Sequence, residues 1–333
     1  MDFRTRVQID KSDVRIDHTT KMMLFGSCFS ENIGNKLKEH KFKVDPNPFG
    51  ILYNPVSISN SLKRLLEDKH FNESELVYNN EMYHSFMHHG SFSDVDEQIC
   101  LKRINERYSN ATNCLRETDI LLITFGTAYA YNLHNTPQVV SNCHKFPAKN
   151  FNRYRLSIDT IVEDWSYLIE ELINQNSNLR FIFTVSPIRH FRDGAHDNQI
   201  SKSILHIAIE DIKNKFKDRV EYFPAYEIMI DELRDYRFYN EDMVHPTSMA
   251  QDYIWKCFSD CFFSKDTQMI NSEWASIRKS IDHCPINTET KSYSKFLFST
   301  LKNIESFTKK YPHIQCEEEI RQIVSLIEKV NIL

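Results

Sequence analysis

Residues 22 to 34, MMLFGSCFSENIG, constrain the fold more than any other stretch, because an apolar run ends in a small-residue turn and reads straight on as a helix. Met22, Met23, Leu24 and Phe25 suit a buried parallel strand, Gly26 permits a sharp turn, and Ser27 or Cys28 falls at the N-terminus of the following helix. Backbone N–H groups at such a terminus favour an anion. The position therefore stabilises a thiolate, or the oxyanion of an acyl-transfer intermediate, outside the carboxyl end of a strand in an α/β sheet. Far downstream, YNEDMVHPT sets Asp242 and His245 two residues apart, with Pro246 next. A carboxylate beside a histidine fixes the imidazole tautomer and stabilises the imidazolium, and such a pair activates a hydroxyl or thiol. A surface loop with capping polar groups accounts for either stretch alone. Their order and spacing together point to a nucleophile, a base and an orienting acid.

These stretches resemble the first and last blocks of the SGNH (GDSL-like) hydrolase superfamily. More closely, Gly26-Ser27-Cys28-Phe29-Ser30 resembles the name-giving motif of the bacterial GSCFA family, with Ser30 where Ala is usual. The similarity runs on through NPFGILYNPVSI (47 to 58), HSFMHHGSFS (84 to 93), ITFGTAYAY (123 to 131), NCHKFPAKNF (142 to 151), TVSPIRHFRDGAHDNQISKS (184 to 203) and YFPAYEIMIDELRDYRFYNEDMVHP (222 to 246). It implies a flavodoxin-like (SGNH hydrolase) three-layer α/β sandwich with a central parallel sheet. The activity implied is an esterase acting on an ester or thioester, or an O-acyltransferase using the same acyl-enzyme. In register on the superfamily's Gly-Asp-Ser, Cys28 takes the nucleophile's place; a one-residue shift of the turn gives it to Ser27, and a structural core cysteine is the third reading. A helix N-terminus and His245 would lower the pKa of Cys28.

The second superfamily block implies Gly50 as an oxyanion donor, although a simple turn glycine fits equally. The third block is usually Gly-x-Asn, but here Gly126-Thr127 is followed by Ala128. Either Thr127 or a polar group of another loop, such as Asn142, replaces the donor, or the oxyanion hole is weaker; one such donor is worth about a hundred- to a thousandfold in rate. A catalytically silent binder of a glycan or lipid head group is the reading from a different class. The absent Asn favours it and the intact Asp242-x-x-His245 disfavours it.

Composition bounds the partners. The 333 residues are 41% hydrophobic and carry a net charge of -5, which gives no basic footprint for nucleic acid. Eight cysteines without CxxC pairs, and an N-terminus MDFRTRVQIDKSD without an apolar run, lead us to expect a reducing cytoplasm. No stretch of 18 apolar residues suggests a membrane span. The expected substrate is a small-molecule, glycan or lipid acyl ester, and the oligomeric state is left open. No cofactor is expected. His70, His84, His88 and His89 raise the question of a metal, but the His84/His88 spacing lacks the Glu of HExxH and the segment reads as strand or loop. His88 and His89 match the family pattern and are expected to line the pocket. In Asn142-Cys143-His144-Lys145, adjacent side chains of extended chain diverge, so a loop lining the pocket fits better than a Cys143/His144 dyad.

Periodicity supplies the remaining elements. A strand is expected at Phe42 to Asp45, a helix from Ser57 to Glu67, another over residues 94 to 115, and within Asp119 to Tyr131 the clearest buried strand, ending in Gly126-Thr127. Ile158 to Gln175 reads as a helix with Trp165, Leu168, Ile169 and Leu172 inward, followed by a strand at Arg180 to Val185. The loop after it carries Arg189, His190, Asp193, His196, Asn198, Ser201 and Lys202; Arg189 and Lys202 are expected to hold an anionic group or to form a solvated face. Then come a helix from Lys202 to Lys217, a strand from Val220 to Phe223, a helical stretch with Asp231, Glu232 and Arg234 exposed, and a helix from Thr247 to Phe263. The domain expectation is an α/β domain over residues 1–270 and an extension over 271–333. Residues 264 to 290 read as linker-like, and Phe296 to Ser306 and Glu317 to Val330 as two amphipathic helices.

Overall fold

The computed structural model describes residues 5–134, 136–283 and 285–331; Cys284 and the first four residues of the N-terminal segment lie outside these. The other seven cysteines form no disulfide. The chain divides into two compact units. The first comprises Lys21–Lys36, Val44–Cys261 and the segment ending at Ser12; the second comprises Asp13–Thr20, Leu37–Lys43 and the chain from Phe262 onward.

The first unit is built on β1 (Lys21–Gly26), β2 (Lys43–Pro46), β5 (Ile120–Phe125), β9 (Arg180–Val185) and β10 (Val220–Tyr222), in the spatial order β2-β1-β5-β9-β10. Renumbered within the sheet this is 2-1-3-4-5, the flavodoxin order. The β1–β5, β5–β9 and β9–β10 pairs are parallel. All six residues of β5 are buried, as a central parallel strand covered on both faces requires. Alternation divides β1 between two faces. Met23 and Phe25 join the core formed with α2 (Pro55–Leu66), α3 (Glu97–Arg116), α4 (Ile158–Gln175) and α5 (Gly194–Lys215). Leu24 faces α1 (Cys28–Glu39), where a Cβ on Gly34 would lie 3.5 Å from Leu24 Cδ2. Three layers result. The inward stripe of α4 holds Trp165, Leu168, Ile169 and Leu172 as its spacing predicts.

Outside the central sheet, β3 (Leu76–Asn79) and β4 (Met82–Ser85) form a hairpin, and β6 (Tyr129–Leu133), β7 (Val139–Val140) and β8 (Phe151–Arg155) form a small antiparallel sheet. The buried strand expected within Asp119 to Tyr131 does end at Gly126-Thr127, and the chain then resumes as the separate strand β6. The chain breaks at Gly126–Ala128 because the Gly126 and Thr127 N–H groups both turn to the Tyr53 carbonyl, at 2.8 and 3.0 Å. Helix α5 begins at Gly194 rather than Lys202, since its first inward positions, Asn198, Ser201 and Lys202, are polar and hide the helical period. Beyond β10, α6 (Ala225–Glu227) runs into a π turn over Ile228–Glu232. Glu232 is buried rather than exposed, accepting the Tyr253 hydroxyl and, at 3.2 Å, the Val7 N–H. Helix α7 (Ser248–Phe262) follows the Asp242–His245 loop.

The second unit is helical: α8 (Lys265–Ile281), α9 (Lys291–Lys310) and α10 (Glu317–Asn331) bury Trp274, Leu297, Ile304, Phe307 and Ile323 together. The linker expected over 264 to 290 is therefore largely helix. Ser264 caps it, and its inward residues Ile270, Trp274, Ile277 and Ile281 recur at helical spacing among so many polar residues that the mean hydropathy conceals them.

Candidate active site

At the end of β1, Gly26 adopts φ +145, a conformation rarely open to a side chain, and its N–H donates to Asn47 Oδ1 at 3.0 Å. Ser27 then caps α1. Its Oγ accepts the Phe29 N–H at 3.3 Å and meets Ser186 Oγ, at the end of β9, at 3.1 Å. Ser27 is 1% exposed, so its hydroxyl serves the cap. Cys28, the first helical residue, is half-buried and lines a cavity. Burial pushes its thiol pKa up and outweighs the Cys28 and Phe29 N–H groups and the Lys202 ammonium, which favour the thiolate. The lowered pKa expected at this helix terminus is therefore overturned by desolvation.

The downstream pair is tightly defined. A Tyr239–Pro246 bridge and a 2.8 Å bond from Asn240 N–H to the His245 carbonyl close the loop. Asp242 Oδ1 accepts the Val244 and His245 N–H groups, each at 2.9 Å, and Oδ2 lies 2.5 Å from His245 Nδ1. The His245 and Val244 N–H groups, then the imidazole, hold the Asp242 carboxyl down at about 2. A permanent carboxylate at Nδ1 keeps the proton there and leaves the Nε2 lone pair as the base.

Cys28 and His245 line the same cavity, about 370 Å³, at the carboxyl ends of β1, β5 and β9. Its floor includes Ser27, Thr127 and Ser186; its walls include Tyr53 and Asn54, Tyr129, Tyr131 and Arg153 from the small sheet, and the Ile188–Asp193 turn. Arg153 lies 3.8 Å over the Tyr129 ring and pairs with Asp193 at 2.5 Å. Behind the floor, Lys202 is fully buried and donates to the Gly126 and Ser186 carbonyls at 2.7 and 2.8 Å, tying the ends of β5 and β9 together. Burial and the Arg189 charge push its pKa down to about 7. His190, edge-on to Tyr53, is driven down to about 4 by burial, and so is neutral.

Of the residues expected at the site, Cys28, Ser27, His245, Thr127 and Arg189 line this cavity, and Asp242 reaches it through His245. Gly50 does not line it, and its N–H is spent on Asn47 O at 2.8 Å, so no oxyanion donor remains there. The Gly126 and Thr127 N–H groups are spent on Tyr53, and that of Ala128 on Ser201 Oγ at 2.7 Å. Thr127 contributes only its side chain. His88 and His144 are core residues. His88 stacks on Phe49 at 4.8 Å and is pushed down to about 3 by burial. His144 stacks on His84 at 4.4 Å, with Nε2 2.8 Å from the Ser85 carbonyl. Asn142 is turned inward by its own loop, Oδ1 accepting the His144 N–H at 3.0 Å, and lies outside the lining, as does His89. Both His84 nitrogens are committed, to Ser93 Oγ and the Asn79 carbonyl. Lys202 is neither solvated nor open to a ligand. Tyr53, Tyr129, Tyr131, Arg153 and Ser186 escape the sequence reading; the period-two pair Tyr129/Tyr131 was the one signal for them.

Fold and cavity together define a flavodoxin-like α/β protein with a ligand-sized pocket at its strand ends. The chain belongs to the GSCFA family, whose profile matches residues 21–258; a profile described as GSCFA domain protein, C-terminal domain, matches residues 274–329. Among solved structures it is similar to an acetyl xylan esterase from the rumen bacterium Butyrivibrio proteoclasticus, at 11% identity and a TM-score of 0.37, over 75% of this chain and 64% of that one. The chain thus spans under two thirds of that protein. No curated protein matches it. Among the described residues, no helix is long and apolar enough to cross a membrane.

Proposed function

We propose that the protein is an SGNH-like hydrolase or acyltransferase of ester or thioester bonds, with Cys28 as nucleophile, His245 as base and then acid, and Asp242 as the residue that orients His245. The observation that carries this reading is a half-buried thiol at a helix N-terminus sharing one cavity with an imidazole whose Nδ1 is held by a carboxylate. In the first step the sulfur bonds to the acyl carbon, the C–O bond to the alcohol breaks, and the thiol proton passes through His245 Nε2 to the departing oxygen. Water, or an acceptor hydroxyl, then gives a proton to His245 and attacks the thioester, which releases the acyl group and restores the thiol. Because burial keeps Cys28 protonated at rest, His245 must act as a general base rather than stabilise a standing thiolate. The Phe29 N–H in the first turn of α1 is held by the Ser27 cap, so the Cys28 N–H is the oxyanion donor this reading uses.

The spent N–H groups of Gly126, Thr127 and Ala128 favour the second reading, a silent binder using the same cavity. Mass spectrometry after iodoacetamide or a fluorophosphonate, on wild type, Ser27→Ala, Cys28→Ala and His245→Ala, separates them. Fast His245-dependent alkylation of Cys28 is the expected result. A fluorophosphonate adduct lost in Ser27→Ala transfers the role to serine, and no selective labelling leaves the binder.

A further inference from the structure

The cavity wall formed by the Ile188–Asp193 turn and Arg153 carries more positive charge than its own fold uses. Arg153, Arg189 and Arg192 all line it, and the only acidic side chain in the lining among the described residues, Asp193, is taken by Arg153. Among the described residues no carboxylate pairs with Arg189 or Arg192. Arg189 Nε is buried and has no hydrogen-bond acceptor among the described residues, and the neighbouring His190 Nε2 is buried with no hydrogen-bond partner among them. Leaving such buried polar groups unpaired is costly unless something else pairs with them.

The turn that carries them is rigid. The Ile188 N–H is held by Ser186 Oγ at 3.3 Å and the His190 N–H by Asn198 Oδ1 at 2.9 Å, so the residues on both sides of Arg189 are pinned. Arg189 itself lies over the Phe191 ring at 5.6 Å. A guanidinium placed in this way presents a planar fork that matches a carboxylate or phosphate. The cavity, about 370 Å³, is at the small end of ligand pockets, so an anion at this wall and an acyl carbonyl at Cys28 belong to one small molecule or one terminal unit of a larger one.

We infer that Arg189 and Arg192 form an anion subsite and that the substrate is an acyl ester or thioester carrying a carboxylate or phosphate close to the scissile bond. This deepens the proposed function and rests on it for the chemistry done at Cys28; the location of the anion stands on the arginines alone. Neutral acyl esters, including simple acetyl esters of neutral sugars, are then poor substrates, because they leave two guanidinium groups facing an uncharged ligand.

The test compares alkylation of Cys28 by iodoacetate and by iodoacetamide, read by peptide-resolved mass spectrometry in the full chain. Relative to a neutral model thiol, the iodoacetate-to-iodoacetamide rate ratio at Cys28 is expected to rise by about tenfold. It should fall back in Arg189→Gln and in the double variant with Arg192→Gln. Arg192 is exposed, so Arg192→Gln alone supplies a variant with little effect on folding. A wild-type ratio equal to that of the model thiol, or one the substitutions leave unchanged, overturns the subsite. His245 dependence of the iodoacetamide rate is scored separately: its loss with the ratio intact removes the enzyme and keeps the anion site, and the converse removes the anion site and keeps the enzyme. Protection of Cys28 by succinate or by inorganic phosphate, lost in the double variant, tells which anion the subsite prefers.

Discussion

The Oγ atoms of Ser27 and Ser186 lie 3.1 Å apart, joining the cap of α1 to the end of β9. A hydroxyl held in this way, accepting the Phe29 N–H and 1% exposed, is built into the turn. Ser27→Ala should therefore cost about 1 kcal/mol of stability, the usual worth of an N-cap, and leave His245-dependent labelling of Cys28 in place. Urea denaturation together with the alkylation rate checks both halves. Abolished labelling in a folded Ser27→Ala protein would return the nucleophile to serine.

Asp242→Asn separates the two tasks of that carboxylate. Asn Oδ1 still accepts the Val244 and His245 N–H groups, so the loop should hold. The amide nitrogen that replaces Oδ2 cannot accept from His245 Nδ1, and the imidazole turns to the wrong tautomer. Ester turnover is expected to drop by about 100-fold or more with little change in melting temperature. Since the carboxyl is held at about 2, the wild-type rate should show no limb from Asp242 above about pH 3.

Lys202 makes stability depend on alkaline pH. Its folded-state pKa of about 7 lies below the ordinary 10.5, so between those values the unfolded chain binds more protons and stability rises with pH. The slope is on the order of 1 kcal/mol per pH unit at most. The stability of wild type relative to Lys202→Met, read from urea midpoints, should rise from pH 7 to 10. A constant difference across that range would contradict the lowered pKa of buried Lys202.

Gly26→Ala and Gly90→Ala should behave oppositely. A Cβ at Gly26 would sit 2.5 Å from the Thr124 carbonyl at φ +145, whereas one at Gly90 meets nothing within 4 Å. The first is expected to lose on the order of 3 kcal/mol and the reactivity of Cys28; the second should stay within about 0.5 kcal/mol of wild type. Thermal melts of the two proteins measure it.

Much of the site was legible in the sequence where a residue's role is local. Gly26 to Cys28 and Asp242 to His245 each act within four residues, and strand, turn, cap and Asp–His bond can be read from spacing. For Gly50, Asn142, His144 and His88 the sequence leaves a pocket role and a structural role open, because their roles depend on distant partners. The Asn47 carbonyl takes the Gly50 N–H, and Phe49 takes one face of His88. A histidine beside a histidine looks the same in a pocket and in a core until its neighbours are known.

The sequence by itself determined the parallel sheet, the order of its units and the turn that presents Cys28, because alternation, helical period and glycine placement are properties of contiguous residues. Only the tertiary structure decided the cavity's character. The Tyr129–Arg153 stack arises from pairing between β6 and β8. Arg189 and Arg192 have no carboxylate partner among the described residues, and only the folded chain decides which carboxylates reach them. Asn198, Ser201 and Lys202 read as a polar loop, yet they form the buried face of α5, since Lys202 finds its acceptors at the ends of two strands far away in sequence. A buried polar face follows no hydrophobic period; what makes it stable is a set of long-range hydrogen bonds, and these exist only once the sheet has assembled.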